Sequence, residues 1–579
     1  MQQLGSLGRK PWGFLDEYRG TVFTGQWPTL PEMFTITCRR YGDRPCFTIY
    51  EPDRISLTYN ESLVTIKAVA RWLHARGVGR GDKVAVTGKN SPEWAVAYMG
   101  VLFSGATVVP IDYQLKNEET DLLIKTAKAR ILFVDEEKFS RYAGGGETGG
   151  EIPRMEEVVS LKRGVESAPY VYDLDGPDAE IEAVRGDDLA AILFTSGTMG
   201  NPKGVMLTHE NLVSDCYLAQ GHLNIYHTDI FYALLPIHHA YTMLAVLIES
   251  LSVGAEVVFG KRMVTKTILK DLREAKITML LAVPLLFNKV LSSIIRGLKE
   301  KGPLVYGLIS FLMAVSGFIK KVFKVNPGKK MFGFILDKAS LTTLRICICG
   351  GGPLAPSVFR KYNQMGIDFI QGYGLTETSP IINLNPVERY KETSVGRVLP
   401  WTDMRILNPD ERGVGEVIVK GPMVMRGYFE MPAETAETFT PEGYLKTGDL
   451  GYLDSEDYLY LTGRAKNMIV TEGGKNVYPE EIENEFQLFE EIDQILVRGY
   501  TKGKNDKAER IEALIYPSPD FRWTPEGNEP APEKVKARVN EIVGEVNQRL
   551  LPYQRIERTT ILGQPMEMTT TKKIKRSEV

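Results

Sequence analysis

The chain is short of most features that would mark it as something other than a soluble globular protein. Its 579 residues include five cysteines, an odd number, scattered at positions 38, 46, 216, 347 and 349. They supply neither a disulfide framework nor the paired spacing of a zinc site. No excess of one charge exists: 70 basic and 73 acidic residues leave a formal net charge of −3, without the basic face of a nucleic-acid binder. The first ten residues, Met1-Gln-Gln-Leu-Gly-Ser-Leu-Gly-Arg-Lys10, contain no apolar core of signal-peptide length. No internal repeat and no Gly-x-Ser-x-Gly hydrolase elbow occurs. These absences lead to the expectation of a reduced, cytoplasmic protein that does not bind nucleic acid.

One stretch runs against that expectation. Gly302 to Ile319 carries no charged residue and reaches the ~18-residue threshold for a membrane span. It is followed by Lys320, Lys321, Lys324, Lys329 and Lys330 among apolar residues. Peripheral contact with an anionic membrane, at the inner face of the cell membrane, is one reading of this composition. A buried helix with a solvated basic flank is the other.

What is present is an alternation of short β-rich runs with helical patterns. The runs include Lys83–Thr87, Ala106–Pro110, Arg130–Val134, Ala190–Phe194, Glu256–Phe259, Thr278–Ala282 and Leu344–Ile348, and Pro92 to Phe103 reads as a helix. Alternation of this kind predicts an α/β fold with mostly parallel sheets flanked by helices. After about Gly396 shorter strands and turns predict a small β-rich subdomain. Beyond Arg464 comes a compact α+β unit, whose helix near Pro532 to Leu550 places Val535, Val539, Ile542, Val543 and Val546 on one face. The expected organisation is a large domain over residues 1–463 and a small mobile one over 464–579.

The strongest chemical signal is Leu193-Phe-Thr-Ser-Gly-Thr-Met-Gly-Asn-Pro-Lys-Gly204, directly after an apolar strand. Thr195, Ser196 and Thr198 offer hydroxyls, Gly197 and Gly200 let backbone amides approach an anion, and Lys203 adds a point charge. It reads as a phosphate cradle, but it lacks the Gly-Lys-Ser/Thr ending of a Walker loop.

This segment resembles the signature loop of the AMP-forming adenylate synthetases, the superfamily of acyl-CoA ligases, luciferases and peptide-synthetase adenylation domains. The resemblance continues in order through Cys349-Gly-Gly-Gly-Pro-Leu354, Gln371-Gly-Tyr-Gly-Leu-Thr-Glu-Thr378, Tyr444-Leu-Lys-Thr-Gly-Asp-Leu450, Leu461-Thr-Gly-Arg-Ala-Lys466, Gly473-Gly-Lys-Asn-Val-Tyr-Pro-Glu-Glu-Ile482 and a terminal Lys-Lys-Ile-Lys-Arg576. It implies a carboxylic acid, ATP and coenzyme A as substrates, with Mg²⁺ as cofactor. Glu377 would then be the metal ligand, with Thr376 beside the α-phosphate, and Tyr373, between Gly372 and Gly374, would stack on the base. Gly350, Gly351 and Gly352 would form a flat floor for the adenine, and Asp449 and Arg464 would reach the ribose.

Lys573 matches the family's catalytic lysine, although Lys572 stands where that family usually has glycine. Thr195 and Lys203 would join Glu377 and Lys573 in catalysis. His239 matches the histidine near the acyl carboxylate, with Gly350 and Gly374 also lining that pocket. Lys466 falls at the interdomain hinge, and Gly473 and Gly474 at the coenzyme A passage. The stretch Ile295 to Ser340 resembles an insertion of long-chain acyl-CoA synthetases, so a long-chain fatty acid is expected. The rivals are a ligase for medium-chain or aryl acids, a fatty-acyl-AMP ligase serving a carrier protein, and a catalytically silent binding member. The expected assembly is a monomer or homodimer.

Overall fold

A computed structural model of the protein describes residues 10–143, 152–178, 181–195, 202–261, 264–471, 475–501, 509–522, 532–568 and 574–576. Two large sheets organise the first 464 residues. In the smaller, seven strands run in the order Gly427–Tyr428, Lys203–Thr208, Leu189–Thr195, Thr107–Ile111, Lys83–Thr87, Ile131–Val134 and Glu157–Ser160. From Leu189–Thr195 onward the neighbours are parallel, while the pairs at the Gly427 edge are antiparallel. The Pro92–Phe103 helix begins on Ser91, whose side chain accepts from the Trp94 amide, and Pro92 occupies its first turn. Trp94, Tyr98 and most of its other residues are buried, as befits a helix apolar all round.

The larger sheet has thirteen strands and changes character at one of them. Pro45–Ile49, Glu256–Phe259, Ile230–Ala233, Met279–Ala282, Ile346–Cys349 and Asp368–Gly374 lie side by side and parallel. On its other side Asp368–Gly374 pairs antiparallel with Ile381–Leu384, and every pairing beyond is antiparallel. The β-rich portion expected after Gly396 is therefore continuous with the parallel sheet. Its junction is the strand that ends in Gly372, Tyr373 and Gly374. Ligands of open α/β sheets collect at the carboxyl ends of parallel strands, and this is one.

The C-terminal unit holds its own core, with Ile482, Val497, Ile515, Val539, Ile542 and Val546 among its buried residues. There the strands Ile492–Tyr500, Arg510–Pro517 and Arg558–Ile561 form a separate sheet, covered by the helix Pro532–Arg549. It meets the large domain through polar groups. Gln487 accepts from the Ala355 amide at 2.8 Å and donates to the Pro353 carbonyl at 3.0 Å. Two wider ion pairs, Lys289–Asp493 and Arg296–Glu490, both at 3.8 Å, flank it.

The uncharged stretch forms part of one 21-residue helix, Pro303–Phe323. Among the described residues it is the one helix long and apolar enough to cross a membrane. It buries Ile309, Met313, Ser316 and Lys320 against the body of the protein. The basic run is thus less uniform than its sequence suggests. Lys320 points inward, where its ammonium donates to Asp368 at 2.7 Å and Asn363 at 2.8 Å, and Lys329 is half-buried. Lys321, Lys324 and Lys330 remain exposed.

Candidate active site

The junction strand and the turn after it carry the first group of site residues. Gly374 is obligatory, because a Cβ there would come within 1.5 Å of the Pro380 carbonyl oxygen. The chain then turns through Thr376–Thr378, held by the Thr378 hydroxyl, which accepts from the Leu375 amide at 3.0 Å. This places Tyr373 and Glu377 four residues apart, on opposite sides of one tight bend.

Tyr373 faces the end of the antiparallel half of the sheet. Its hydroxyl donates to Asp449 Oδ2 at 2.6 Å, and Arg464 Nε meets the other oxygen, Oδ1, at 2.6 Å. Asp449 and Arg464 are directly paired across adjacent strands. The carboxylate is buried while the guanidinium is partly exposed. Burial, and next the charge of Asp449, push the Tyr373 phenol well above its ordinary range, so it stays a donor. The three residues expected at base and ribose are brought together as one hydrogen-bonded unit.

Glu377 lies on the other side of the bend. Tyr428 donates its hydroxyl to Glu377 Oε1 at 2.9 Å, and the Met425 amide donates to the Glu377 carbonyl at 2.8 Å. Tyr428 is also covered by Lys203, whose ammonium sits 4.8 Å from the ring centroid. The strand Gly427–Tyr428 pairs with Lys203–Thr208, so Lys203, Tyr428 and Glu377 form a continuous set. Lys203 in turn is the cross-strand partner of Thr195. Both stems of the phosphate cradle are therefore in place, while Ser196, Gly197, Thr198 and Gly200 lie outside the described residues.

Gly350, Gly351 and Gly352 follow the end of the parallel strand Ile346–Cys349. Gly351 has φ +76°, a conformation that favours glycine, and a Cβ on Gly350 would press on the Tyr241 ring at 3.0 Å. Tyr241 donates to the Ile348 carbonyl at 3.0 Å and lies two residues after His239, which brings the histidine loop against the glycine floor. That loop is clamped by Asn90, which donates to the Ala233 and Leu235 carbonyls and accepts from the Ile237 amide. His239 Nε2 stands 3.2 Å from His238 Nε2, which is 3.5 Å from Asp112 Oδ2. The three could between them hold a cation, since their ligand atoms all lie within 4.8 Å of one another. Asp112 and His239 each have a further interaction, so the cluster sits within a wider polar network.

The structure does not bring Lys466 to this centre. It is exposed on the turn Ala465–Asn467, where Asn467 donates to Glu480 at 2.7 Å. Lys572, Lys573, Gly473 and Gly474 lie outside the described residues. Near the catalytic-lysine position, Arg576 forms a two-pronged pair with Glu483 at 2.7 and 2.6 Å and donates to the Val497 carbonyl at 2.9 Å. Sequence reasoning overlooked Tyr428, Asn90, Asp112 and Arg576. Tyr428 carries no local signature, since its role arises from a strand pairing with residues more than 200 positions earlier.

The protein-family model described as AMP-binding enzyme matches residues 34–429. Among curated relatives, the long-chain-fatty-acid–CoA ligase FadD15 of Mycobacterium tuberculosis is 29% identical over 490 residues, covering 79% of this chain and 78% of the relative. The long-chain-fatty-acid–CoA ligase heimdall of Drosophila melanogaster is 27% identical, covering 79% and 72%. A feruloyl-CoA synthase of an Amycolatopsis species is also 27% identical, covering 82% and 85%. Among solved structures, the anthranilate CoA ligase AuaEII with anthranoyl-AMP superposes with TM-score 0.77 at 19% identity, covering 96% of this chain and 97% of its own. ATP-bound MatB from Rhodopseudomonas palustris does so with TM-score 0.72 at 24% identity, covering 95% and 98%. A model matching more than half of the chain, over the segment that carries Thr195, Lys203, Tyr373 and Glu377, shows that the chain belongs to the family of AMP-binding enzymes.

Proposed function

We propose that the protein converts a long-chain fatty acid to its coenzyme A thioester through an acyl adenylate. The observation that carries this reading is the bend at Tyr373–Glu377, which has a ribose-binding carboxylate bonded at one end and a metal-binding carboxylate positioned at the other. An acid carboxylate would attack the α-phosphorus, break its bond to the bridging oxygen, and release pyrophosphate. The thiolate of coenzyme A would then attack the acyl carbonyl and expel AMP.

This chain's residues would share that work as follows. Tyr373, Asp449 and Arg464 fix the nucleoside. Lys203 and the Thr195 hydroxyl face the phosphates, where a preorganised cation stabilises developing negative charge. His239, held by the Asn90-clamped loop, orients the acid. Glu377 fits Mg²⁺, because it is a single carboxylate oriented by one hydroxyl, and Mg²⁺ takes one or two carboxylates plus phosphate oxygens. When bound, the ion would neutralise charge on the leaving pyrophosphate. We place the hinge at Lys466, on the turn that joins the last strand of the large sheet to the C-terminal unit, and assign Lys573 to the first half-reaction.

Preference for a long chain draws support from the relatives named as long-chain ligases and from the helical segment between Ile295 and Ser340. The feruloyl-CoA synthase relative favours an aryl acid instead. AMP release with coenzyme A, measured over saturated acids of increasing length and over ferulate, separates the two. Rates highest with long chains are expected, and a preference for ferulate would overturn the substrate assignment while leaving the chemistry intact. AMP release that yields no thioester with free coenzyme A would point to a carrier-protein acceptor.

A further inference from the structure

The helix Pro303–Phe323 has two faces of different chemistry. Ile309, Met313, Ser316 and Lys320 recur at spacings of four, three and four and are buried. On the opposite side Leu304, Leu308, Phe311, Phe318 and Val322 are 88%, 60%, 64%, 62% and 53% exposed. At helical periodicity these five fall within about 80° of arc, a continuous stripe along the whole element. Phe323, Val325 and Phe334 extend it, and all three are exposed. Lys301 stands 6.0 Å from the Phe334 ring, which brings that residue to the N-terminal end of the stripe. A soluble surface rarely leaves so much contiguous large apolar area open without a partner.

We propose that this face docks the protein on an anionic lipid bilayer, with the helix lying in the plane of the interface. Three observations choose this occupant. First, exposed lysines border the stripe at both ends, Lys299 and Lys301 at one and Lys321 and Lys330 at the other. An apolar stripe edged by cations is the pattern of interfacial helices. Second, a spanning orientation is ruled out by the inward face, because Lys320 is tied to Asp368 on a strand of the central sheet. Leaving the body would strand a buried ion pair. Third, a second copy of the chain suits the face poorly, because a two-fold pairing sets like surface against like and would oppose lysines to lysines at either end. The docked helix packs along Pro356–Gln364, which follows directly on the Gly350–Gly352 floor, so the membrane side and the nucleotide side of the large domain share one helix between them.

The inference stands apart from the identity of the acid and is tested without substrates. The full-length protein is sedimented with phosphatidylcholine vesicles containing or lacking phosphatidylglycerol, at low and high salt. The comparison is with the double variant Phe311→Glu/Phe318→Glu and with Lys299, Lys301, Lys321 and Lys330 all changed to glutamine. Both sets lie on the surface, and far-UV circular dichroism with ATP–pyrophosphate exchange checks that the variants fold. Parent protein should bind the anionic vesicles in a salt-sensitive manner. The phenylalanine variant should lose binding at all salt concentrations, and the lysine variant should lose roughly fivefold per lysine at low salt. Parent protein that ignores anionic vesicles, or a phenylalanine variant that binds as the parent does, overturns the proposal. So does a dimer, seen by light scattering, that the phenylalanine variant dissolves without any vesicle binding in the parent, since the occupant is then a second copy.

Discussion

Two polar contacts in the molecule are built to opposite specifications. At the nucleotide site, Asp449 is buried and receives Tyr373 and Arg464, each at 2.6 Å, one on either oxygen. Where the C-terminal unit meets the large domain, Gln487 makes two neutral hydrogen bonds to backbone at Pro353 and Ala355, and the flanking ion pairs are long and partly solvated. Charge-assisted bonds around a desolvated carboxylate are about twice as strong as neutral ones. Exposed ion pairs contribute roughly 0–1 kcal/mol. The difference teaches what each region is for: the nucleoside contact is held through both half-reactions, while the domain contact is weak enough to break once per turnover.

The largest expected effect comes from breaking the fixed contact. Asp449→Ala leaves the Arg464 guanidinium and the Tyr373 hydroxyl without their shared acceptor, and kcat/KM for ATP should fall by about a hundredfold or more. Pyrophosphate release at varied ATP measures this, and a loss below tenfold would show that Asp449 is not the anchor. Next comes Glu377→Gln, which should raise the Mg²⁺ concentration needed for half-maximal adenylation by about tenfold. Tyr428→Phe, which frees the same carboxylate to rotate, should give a several-fold shift in the same direction. Unchanged Mg²⁺ titrations in both variants would make Glu377 a structural acid.

A smaller effect is expected at the mobile contact. Gln487→Ala removes bonds worth about 1–2 kcal/mol in the conformation described here. The two half-reactions, assayed separately with ATP plus acid and with supplied acyl adenylate plus coenzyme A, should change by a few-fold in opposite senses. Equal loss in both would mean that Gln487 serves folding rather than the swing. Least effect on turnover is expected at Glu249, deep in the large domain, where burial lifts the carboxyl to about 8. Its native pKa lies above the unfolded value, so its contribution to stability is complete below about pH 4.5 and is lost as pH rises through 8. Glu249→Gln should flatten that slope and stabilise the protein by on the order of 2 kcal/mol near pH 8, with kcat unchanged. Denaturant titrations at pH 5 and pH 8 check it, and parallel slopes in parent and variant would remove Glu249 as the source.

Much of this was legible in the sequence, and for definable reasons. Tyr373, Glu377, Asp449 and Arg464 stand in short motifs whose glycines are forced by close backbone approaches, such as Gly374 against Pro380. Strands such as Glu256–Phe259 and the helix Pro92–Phe103 were readable because local composition and capping agree with their tertiary place. The inward turn of Lys320 was not, because counting charges along a run ignores which face each residue occupies. Its partner Asp368 lies 48 residues further on. Tyr428 escaped for a similar reason: a two-residue strand has no periodicity to detect.

That two-residue strand has a consequence for how the chain tolerates change in length. Met425 is bonded to Glu377 in one sheet, while Arg426 and Phe429 are bonded to Met206 and Gly204 in the other. The segment is thus ruled like a scale against two separate edges, and adding or deleting one residue within it would reset both at once. Single-residue insertion scanning should find a sharp intolerance between Met425 and Phe429, set by the need to keep two distant loops in phase. The Asp410–Gly413 turn, which joins neighbouring strands of one sheet, should absorb the same insertion with little loss.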